Sequence, residues 1–205
     1  MSVVTSILLH TVKNDFSKNE YKKIKSESHH RFMQLCDEND DISNALKKHT
    51  RMIIFPSIAV YETLIQHGMD ENKTVDLIAH VFVKSSGMVF KFKSLSLHLF
   101  GNYHRYPQNF VKNSIKDFSP EAGFEYKLPK EVNPSVAKFD IVRCPYHDFC
   151  IKYNCLNLNR AFCDSDDAKY GNLHPKLLWK REGTLGKGNQ CCDFLIIDTS
   201  KIKGR

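Results

Sequence analysis

The 205-residue sequence lacks an apolar run long enough to cross a membrane. A membrane-spanning helix needs about 20 consecutive apolar residues, whereas the longest apolar stretches, 3–9 and 51–61, are short and interrupted by polar residues or proline. Glycine (9 residues) and proline (7 residues) are too scarce for a collagen-like or low-complexity chain. We therefore expect a soluble globular protein with no membrane partner.

The sequence also lacks a recognisable signal peptide. No basic segment precedes the first apolar stretch, and His10 stands where a small-residue cleavage site would follow. Seven cysteines, an odd number that includes an adjacent pair, are not typical of a secreted disulfide framework. We expect a reducing, cytoplasmic setting. Because six of the cysteines lie between 144 and 192, we expect the chemistry to lie there too.

Positive charge exceeds negative charge, with 30 Lys and Arg residues against 23 Asp and Glu, for a formal net charge of +7. A basic face is the electrostatic signature of nucleic-acid binding. The lysines are scattered, however, and no zinc-finger spacing, aromatic RNA-binding motif or basic heptad accompanies them. This pattern favours a solvated, solubilising surface without a nucleic-acid partner. The charge pattern does not decide whether the protein forms a homo-oligomer.

The first part of the chain, residues 1–119, predicts mainly helices. Residues 14–49 show loosely helical spacing and predict two helices separated at 39–41, with Asp41 or Ser43 capping the second. A third helix is expected over 51–68. A fourth would begin after the N-cap Asp70 and end near Lys84, before Ser85-Ser86-Gly87. Residues 88–92 alternate like a strand, while 95–100 fit a helix.

The second part, residues 120–205, is richer in strands. Period-two alternation predicts strands at 124–128 and 137–142, and short helices are expected at 145–153 and 160–170. The β-rich runs 176–182 and 191–198 flank a glycine-rich connection and predict a hairpin. The expected fold is α+β, a single domain over 1–205 in which the helical N-terminal half packs on an antiparallel sheet ending in a C-terminal β-hairpin.

Several common catalytic signatures are absent: the sequence has no Gly-x-Ser-x-Gly, His-Glu-x-x-His or Cys-x-x-Cys motif. The segment 183–188 is glycine-rich but lacks the spacing of a phosphate-binding loop. Cys144, His147 and Cys150 are spaced three apart and could serve as metal ligands. The alternative is that Cys150 and Cys155 are small buried apolar residues, the usual role of free cysteine.

Two cysteines stand beside carboxylates. Cys163 and Asp166 are three residues apart and would share one face of a helix. The acids there also complement the positive end of a helix, which gives them a structural alternative. Cys192 and Asp193 begin the last predicted strand. Because side chains alternate along a strand, only one of Cys191 and Cys192 can face a given pocket.

Five segments in chain order form a recognisable set: RCPY at 143–146, FCDSD at 162–166, HP at 174–175, REGTL at 181–185, and Gly188 followed by CDF at 192–194. The set resembles the L-2-amino-thiazoline-4-carboxylic acid hydrolase family. The resemblance implies a hydrolase of a small cyclic amidine-like carbon–nitrogen compound. With the thiazoline substrate, ring opening would give N-carbamoyl-L-cysteine.

Such a reaction needs a nucleophile or activated water, an acid/base group and a cation for the substrate carboxylate. Together with the resemblance, this requirement makes Cys163 the expected nucleophile and Cys192 its alternative, since a thiolate is the strongest nucleophile available. The remaining candidates complete the set: Asp166 and Asp193 as acid/base groups, and Arg143, Tyr146, Arg181 and Thr184 as substrate-binding residues, with Arg181 or Arg143 on the carboxylate.

A metal-dependent mechanism remains open at this stage. A divalent ion would be held by Cys144, Cys163 and Cys192, and an activated water would replace the thiolate. No cofactor is otherwise indicated. The C-terminal hairpin is also similar to the four-vinyl-reductase ligand-binding domains, which implies a second hypothesis: a small-molecule sensor module without turnover.

Overall fold

The protein is described from a computed structural model that covers residues 2–131 and 133–201. Contacts within the chain divide it into two compact units. The first contains residues up to 82 together with 145–162, and the second contains 83–144 and the residues from 163 onward. The secondary structure is α+β, as predicted, with helices first and a strand near the C-terminus.

Eight α-helices lie in the described residues: α1 (Val3–Thr11), α2 (Lys18–Asp37), α3 (Asn44–His49), α4 (Phe55–Gln66), α5 (Glu71–Phe100), α6 (Tyr106–Asp117), α7 (Pro145–Lys152) and α8 (Asn159–Tyr170). A π-helical turn, Thr50–Ile54, joins α3 to α4. No helix among these residues is both long and apolar enough to span a membrane.

Four strands form one antiparallel sheet in the order β1-β2-β4-β3: β1 (Glu125–Lys127), β2 (Val136–Arg143), β3 (Leu177–Lys180) and β4 (Cys192–Asp198). All four predicted strands in the second part of the sequence are confirmed. The expected pairing of the last two is confirmed as well, since Trp179 lies opposite Ile196.

Local sequence signals explain most helix ends. Ser17 and Glu20 form a capping box at the start of α2, in which each side chain bonds to the other residue's backbone N–H. Ser43, one of the two predicted caps, accepts a hydrogen bond from the backbone of Leu46 and begins α3. Pro56 lies in the first turn of α4, where a missing N–H costs nothing.

The predicted end of the fourth helix is wrong. Asp70 caps α5 as expected, accepting a hydrogen bond from the N–H of Lys73 at 2.9 Å, but the helix continues through Ser85-Ser86-Gly87 to Phe100. The strand expected over 88–92 is therefore also wrong. Serine and glycine inside a helix cost about 0.5–1 kcal/mol each, which is too little to stop it. The helix stops at Gly101, whose φ of 61° lies in the left-handed region that favours glycine.

The first unit has an apolar core built mainly by α4, which packs against α1 and α2. Its buried side chains include Ile58 and Leu64 from α4 and Ile24 from α2. Cys150 and Cys155 are completely or almost completely buried in the same core. Their role as small apolar residues is thus the better interpretation of those two cysteines.

The second unit places the sheet against α6. One sheet face carries Phe139 and Phe194, whose rings stack 4.9 Å apart, and Phe110 of α6 lies 5.6 Å from Phe139. Tyr170, at the end of α8, contacts both Phe110 and Trp179. This aromatic layer is the core of the second unit, and the side chains described next lie on the same face of the sheet.

Candidate functional site

The start of β4 and the second turn of α8 carry Cys192 and Cys163, respectively, in the second unit. Cys192 is buried and faces the aromatic side of the sheet, because it shares that face with Phe194 and Ile196. Burial raises the pKa of Cys163, and the nearby Cys192 raises it as well. Cys191 points to the other face, so the predicted choice between the adjacent cysteines falls on Cys192.

Arg181 connects this pair of thiols to the carboxylates of α8. Its side chain is only 3% exposed, and its guanidinium lies 3.3 Å from Asp166 and 2.7 Å from Asp167. It also donates a hydrogen bond to the carbonyl oxygen of Cys163 at 2.8 Å. Burial alone would lower the pKa of Arg181, but the two carboxylates more than offset this, so its pKa is raised. The group is therefore a permanent buried cation.

The loop between β3 and β4 completes the surroundings of the thiols. Thr184 is buried, and its hydroxyl group hydrogen-bonds the thiol of Cys163. Although burial dominates and raises the pKa of this thiol, the hydrogen bond acts to lower it and so favours the thiolate. The backbone N–H of Leu185 donates to the sulfur of Cys192 at 3.3 Å. A short 3-10 turn holds these groups in place, because the Thr184 hydroxyl accepts a hydrogen bond from the N–H of Lys187 at 3.2 Å.

Both thiols are protonated at rest. Burial is the largest of the causes that together raise the pKa of Cys163 to about 12, and Cys192 and Asp166 also contribute. Arg181 and Thr184 act in the opposite direction but do not overcome burial. Burial likewise raises the pKa of Cys192 above its ordinary value. A free thiolate, the form expected from the sequence, is therefore not the resting state of Cys163.

Asp166 is the carboxylate nearest to this chemistry. Lys169 lies 3.1 Å from one of its oxygens and Arg181 3.3 Å from the other. After burial, which is the largest cause, its charge also contributes to raising the pKa of both cysteine thiols. An ionised carboxylate beside a protonated thiol is the arrangement that general-base activation requires.

Asp193 does not join this group. It follows Cys192 in the strand and therefore points to the opposite face of the sheet. Its carboxylate accepts hydrogen bonds from the backbone N–H groups of Glu182, at 3.1 Å, and Gly183, at 2.7 Å. These hydrogen bonds hold the loop, and the acid/base role expected for Asp193 from the sequence stays a prediction.

The other predicted residues are spread more widely. Arg143 ends β2 two residues beyond Ile141, the cross-strand partner of Cys192, and its side chain is 58% exposed beside Glu125. Tyr146 belongs to the first unit, where it hydrogen-bonds His49 and contacts the ring of Phe162. Cys144 lies one residue past β2. Their participation in a site with Cys163 stays a prediction.

The donors of the proposed metal site are not arranged around a common point. Within 2–131 and 133–201, no group of three or more His, Cys, Asp or Glu side chains is arranged to hold a metal ion. The set of Cys144, Cys163 and Cys192 does not fit an ion in this arrangement. We derive no step through a metal at this site.

Two side chains of this site were missed in the sequence. Asp167 shares Arg181 with Asp166 and accepts a hydrogen bond from the indole N–H of Trp179 at 2.9 Å. The guanidinium of Arg181 also lies 6.0 Å from the centre of the Trp179 ring. A single tryptophan two residues before an arginine on a predicted strand was the available signal, since alternation puts the two on one face.

Comparison with protein families gives one match. The family model described as L-2-amino-thiazoline-4-carboxylic acid hydrolase matches residues 46–196, which is more than half of the chain. The matched segment contains every side chain of the group around Cys163. Neither the curated proteins nor the solved structures include a significant match to this chain.

Proposed function

Because the chain belongs to the L-2-amino-thiazoline-4-carboxylic acid hydrolase family, we propose that it hydrolyses a small cyclic amidine-like compound at the group formed by Cys163, Asp166, Arg181, Thr184 and Cys192. The observation that carries the proposal is the convergence on Cys163 of a carboxylate, a buried cation and a hydroxyl. Clustering of a nucleophile with a base and a residue that orients the base is typical of covalent catalysis.

The raised pKa of Cys163 determines how its thiol would act. The thiol transfers its proton to Asp166 as the sulfur attacks the amidine carbon, and the ring C=N electrons move to the ring nitrogen, which takes that proton from Asp166. The ring C–S bond then breaks and its electron pair leaves on sulfur. Water attacks the remaining carbon and the bond to Cys163 breaks, and the two protons of the water go to the sulfur of Cys163 and to the released ring sulfur. The sum is one substrate and one water giving one ring-opened N-carbamoyl product.

Arg181 would position the base in this mechanism. Its charge is already shared by Asp166 and Asp167, so a substrate carboxylate would have to compete with both. Thr184 would stabilise negative charge on the sulfur as the proton leaves, since its hydroxyl bond favours the thiolate.

The test measures ring opening of L-2-amino-thiazoline-4-carboxylic acid by mass spectrometry. Cys163→Ser should lower kcat at least about a hundredfold while the protein stays folded, and Asp166→Asn should have a comparable effect. The matched control is Cys191→Ser, which removes the adjacent thiol on the other sheet face and should retain activity. Full activity in folded Cys163→Ser would contradict the covalent mechanism and move the proposal to Cys192.

A second candidate function is a ligand-binding module without turnover. The observation that favours it is the protonated resting state of both thiols, which a binding site tolerates better than a catalytic one. In that case the wild-type protein would bind the thiazoline in calorimetry but release it unchanged. Cys163→Ser would then affect affinity or melting temperature alone.

A further inference from the structure

A cavity of about 510 Å³ lies within the second unit, and its lining includes neither Cys163 nor Cys192. The C-terminal half of α5, the whole length of α6 and the end of α8 form its wall. The volume falls in the range of about 300–1,000 Å³ that small-molecule pockets occupy. The cavity is thus large enough to bind an organic molecule.

Aromatic rings form the apolar part of the wall. Tyr170 lies 5.6 Å from Phe90 and 5.0 Å from Phe110, and Tyr106 lies 6.1 Å from Phe110. Carboxamides of Asn109 and Asn113 supply polar groups on α6. An apolar lining with a few polar groups is the usual composition of a ligand pocket.

Lys93 supplies a positive charge at this wall. Lys93 is exposed to solvent as a residue. Its ammonium nitrogen nevertheless lies over two rings, 5.2 Å from the centre of the Phe90 ring and 4.9 Å from the centre of the Tyr106 ring. Partial burial of this group lowers its pKa. No carboxylate of residues 2–131 or 133–201 forms an ion pair with Lys93. One further cation and one carboxylate, those of Lys116 and Asp117, also line the wall.

Tyr106 gives a second, independent indication of a ligand. Its side chain is 95% buried, and its hydroxyl oxygen has no hydrogen-bond partner in the described part of the chain. Buried hydroxyl groups in proteins nearly always have a partner. A molecule bound in the cavity could provide the missing one.

We propose that this cavity binds a small organic carboxylate with an aromatic or apolar body, the carboxylate pairing with Lys93 and the body lying against the rings of Phe90, Tyr106, Phe110 and Tyr170. The pairing combines an ion pair with partial exclusion of water, which strengthens it relative to a fully exposed pair. The proposal concerns binding alone and is independent of the reaction at Cys163.

The test uses 3-phenylpropanoate as the probe and its uncharged amide as the control ligand. Binding is followed by calorimetry and by the fluorescence of Trp179, the single tryptophan, whose ring lies 4.9 Å from Tyr170 of the cavity wall. We expect saturable binding of the carboxylate with a Kd of about 1 mM or below. Lys93→Met should weaken carboxylate binding at least about tenfold and leave amide binding within about twofold.

Two further variants make the result decisive. Lys91→Met removes an exposed lysine of the same helix that is not part of the wall, and should leave both ligands unaffected. Lys93→Arg keeps the charge and should retain most of the affinity. The proposal is overturned if wild type shows no saturable binding, if Lys93→Met weakens both ligands equally, or if Lys91→Met has the same effect as Lys93→Met.

Discussion

At the residue scale, two arginines of the second unit show how burial changes the contribution of an ion pair to stability. Arg181 is almost fully buried between Asp166 and Asp167, whereas Arg143 pairs with Glu125 while more than half exposed. Removing one partner of a buried pair leaves the others with an uncompensated charge in a poorly hydrated place. Exposed pairs contribute little, because water and salt screen them.

We therefore predict that Arg181→Met lowers the free energy of unfolding by about 2–4 kcal/mol. Arg143→Met should change it by less than about 0.5 kcal/mol. Urea unfolding of both variants, followed by circular dichroism, measures the difference. An equal loss of the free energy of unfolding in the two variants would contradict the prediction. It would mean that Arg181 stabilises the protein through the packing of its long side chain, which methionine retains, and not through its ion pairs.

At the element scale, one carboxylate holds the start of the loop between β3 and β4. Asp193 accepts hydrogen bonds from two successive backbone N–H groups, those of Glu182 and Gly183. This holds the chain where β3 ends and the loop begins, and so helps to place Thr184 and Leu185 beside the thiols. Asp193 thus supports the site from the opposite face of the sheet.

Asp193→Ala should destabilise the protein by about 1–3 kcal/mol, because the two N–H groups lose a charged acceptor. Turnover per folded molecule should fall far less than in Asp166→Asn, since Asp193 does not lie beside Cys163. Melting temperature and kcat, measured on both variants, separate the two roles. A loss of kcat in folded Asp193→Ala as large as that of Asp166→Asn would return Asp193 to the catalytic group.

Elements differ in how far the sequence predicts them. Strand alternation in the C-terminal part locates all four strands and indicates that only one of Cys191 and Cys192 faces a given pocket, and the structure puts Cys192 on the buried face. The length of α5 could not be predicted from the sequence, because both Gly87 and Gly101 are candidate helix ends. Only Gly101 adopts a positive φ, whereas Gly87 lies within the helix. Distinguishing the two glycines requires knowing which neighbouring turns are buried, and only tertiary packing determines that.

At the scale of the whole molecule, the prediction of the site has the same limit, because burial cannot be predicted from the sequence alone. The sequence pointed to Cys163, Asp166 and Cys192 as residues with reactive groups, but it carried no information on burial, which keeps both thiols protonated. It also offered two arginines as equal candidates for a substrate carboxylate. Burial between two carboxylates distinguishes Arg181 from Arg143, and this depends on how α8 lies against β3.

For the molecule as a whole, partnered carboxylates predict a loss of stability in acid. Asp198 is fully buried, and although burial opposes it, hydrogen bonds from Ser200 and His104 lower its pKa. In the first unit, the pKa of Glu71 is lowered by hydrogen bonds from Tyr61 and Asn157. A lowered folded-state pKa means that the unfolded chain binds protons first, so stability is lost as the pH falls.

The expected loss begins near pH 4.5, the upper end of ordinary carboxyl pKa values, and continues down through the folded-state values. A smaller loss should begin near pH 6.5, because burial and the neighbouring His98 and Lys176 lower the pKa of His174. Urea midpoints between pH 3 and 7 measure both, and Asp198→Asn should flatten the acid limb. Because Asp198 is fully buried, its share should persist at about 0.5 M salt, where exposed pairs are screened. An acid limb unchanged by Asp198→Asn would show that folding does not lower the pKa of this carboxyl.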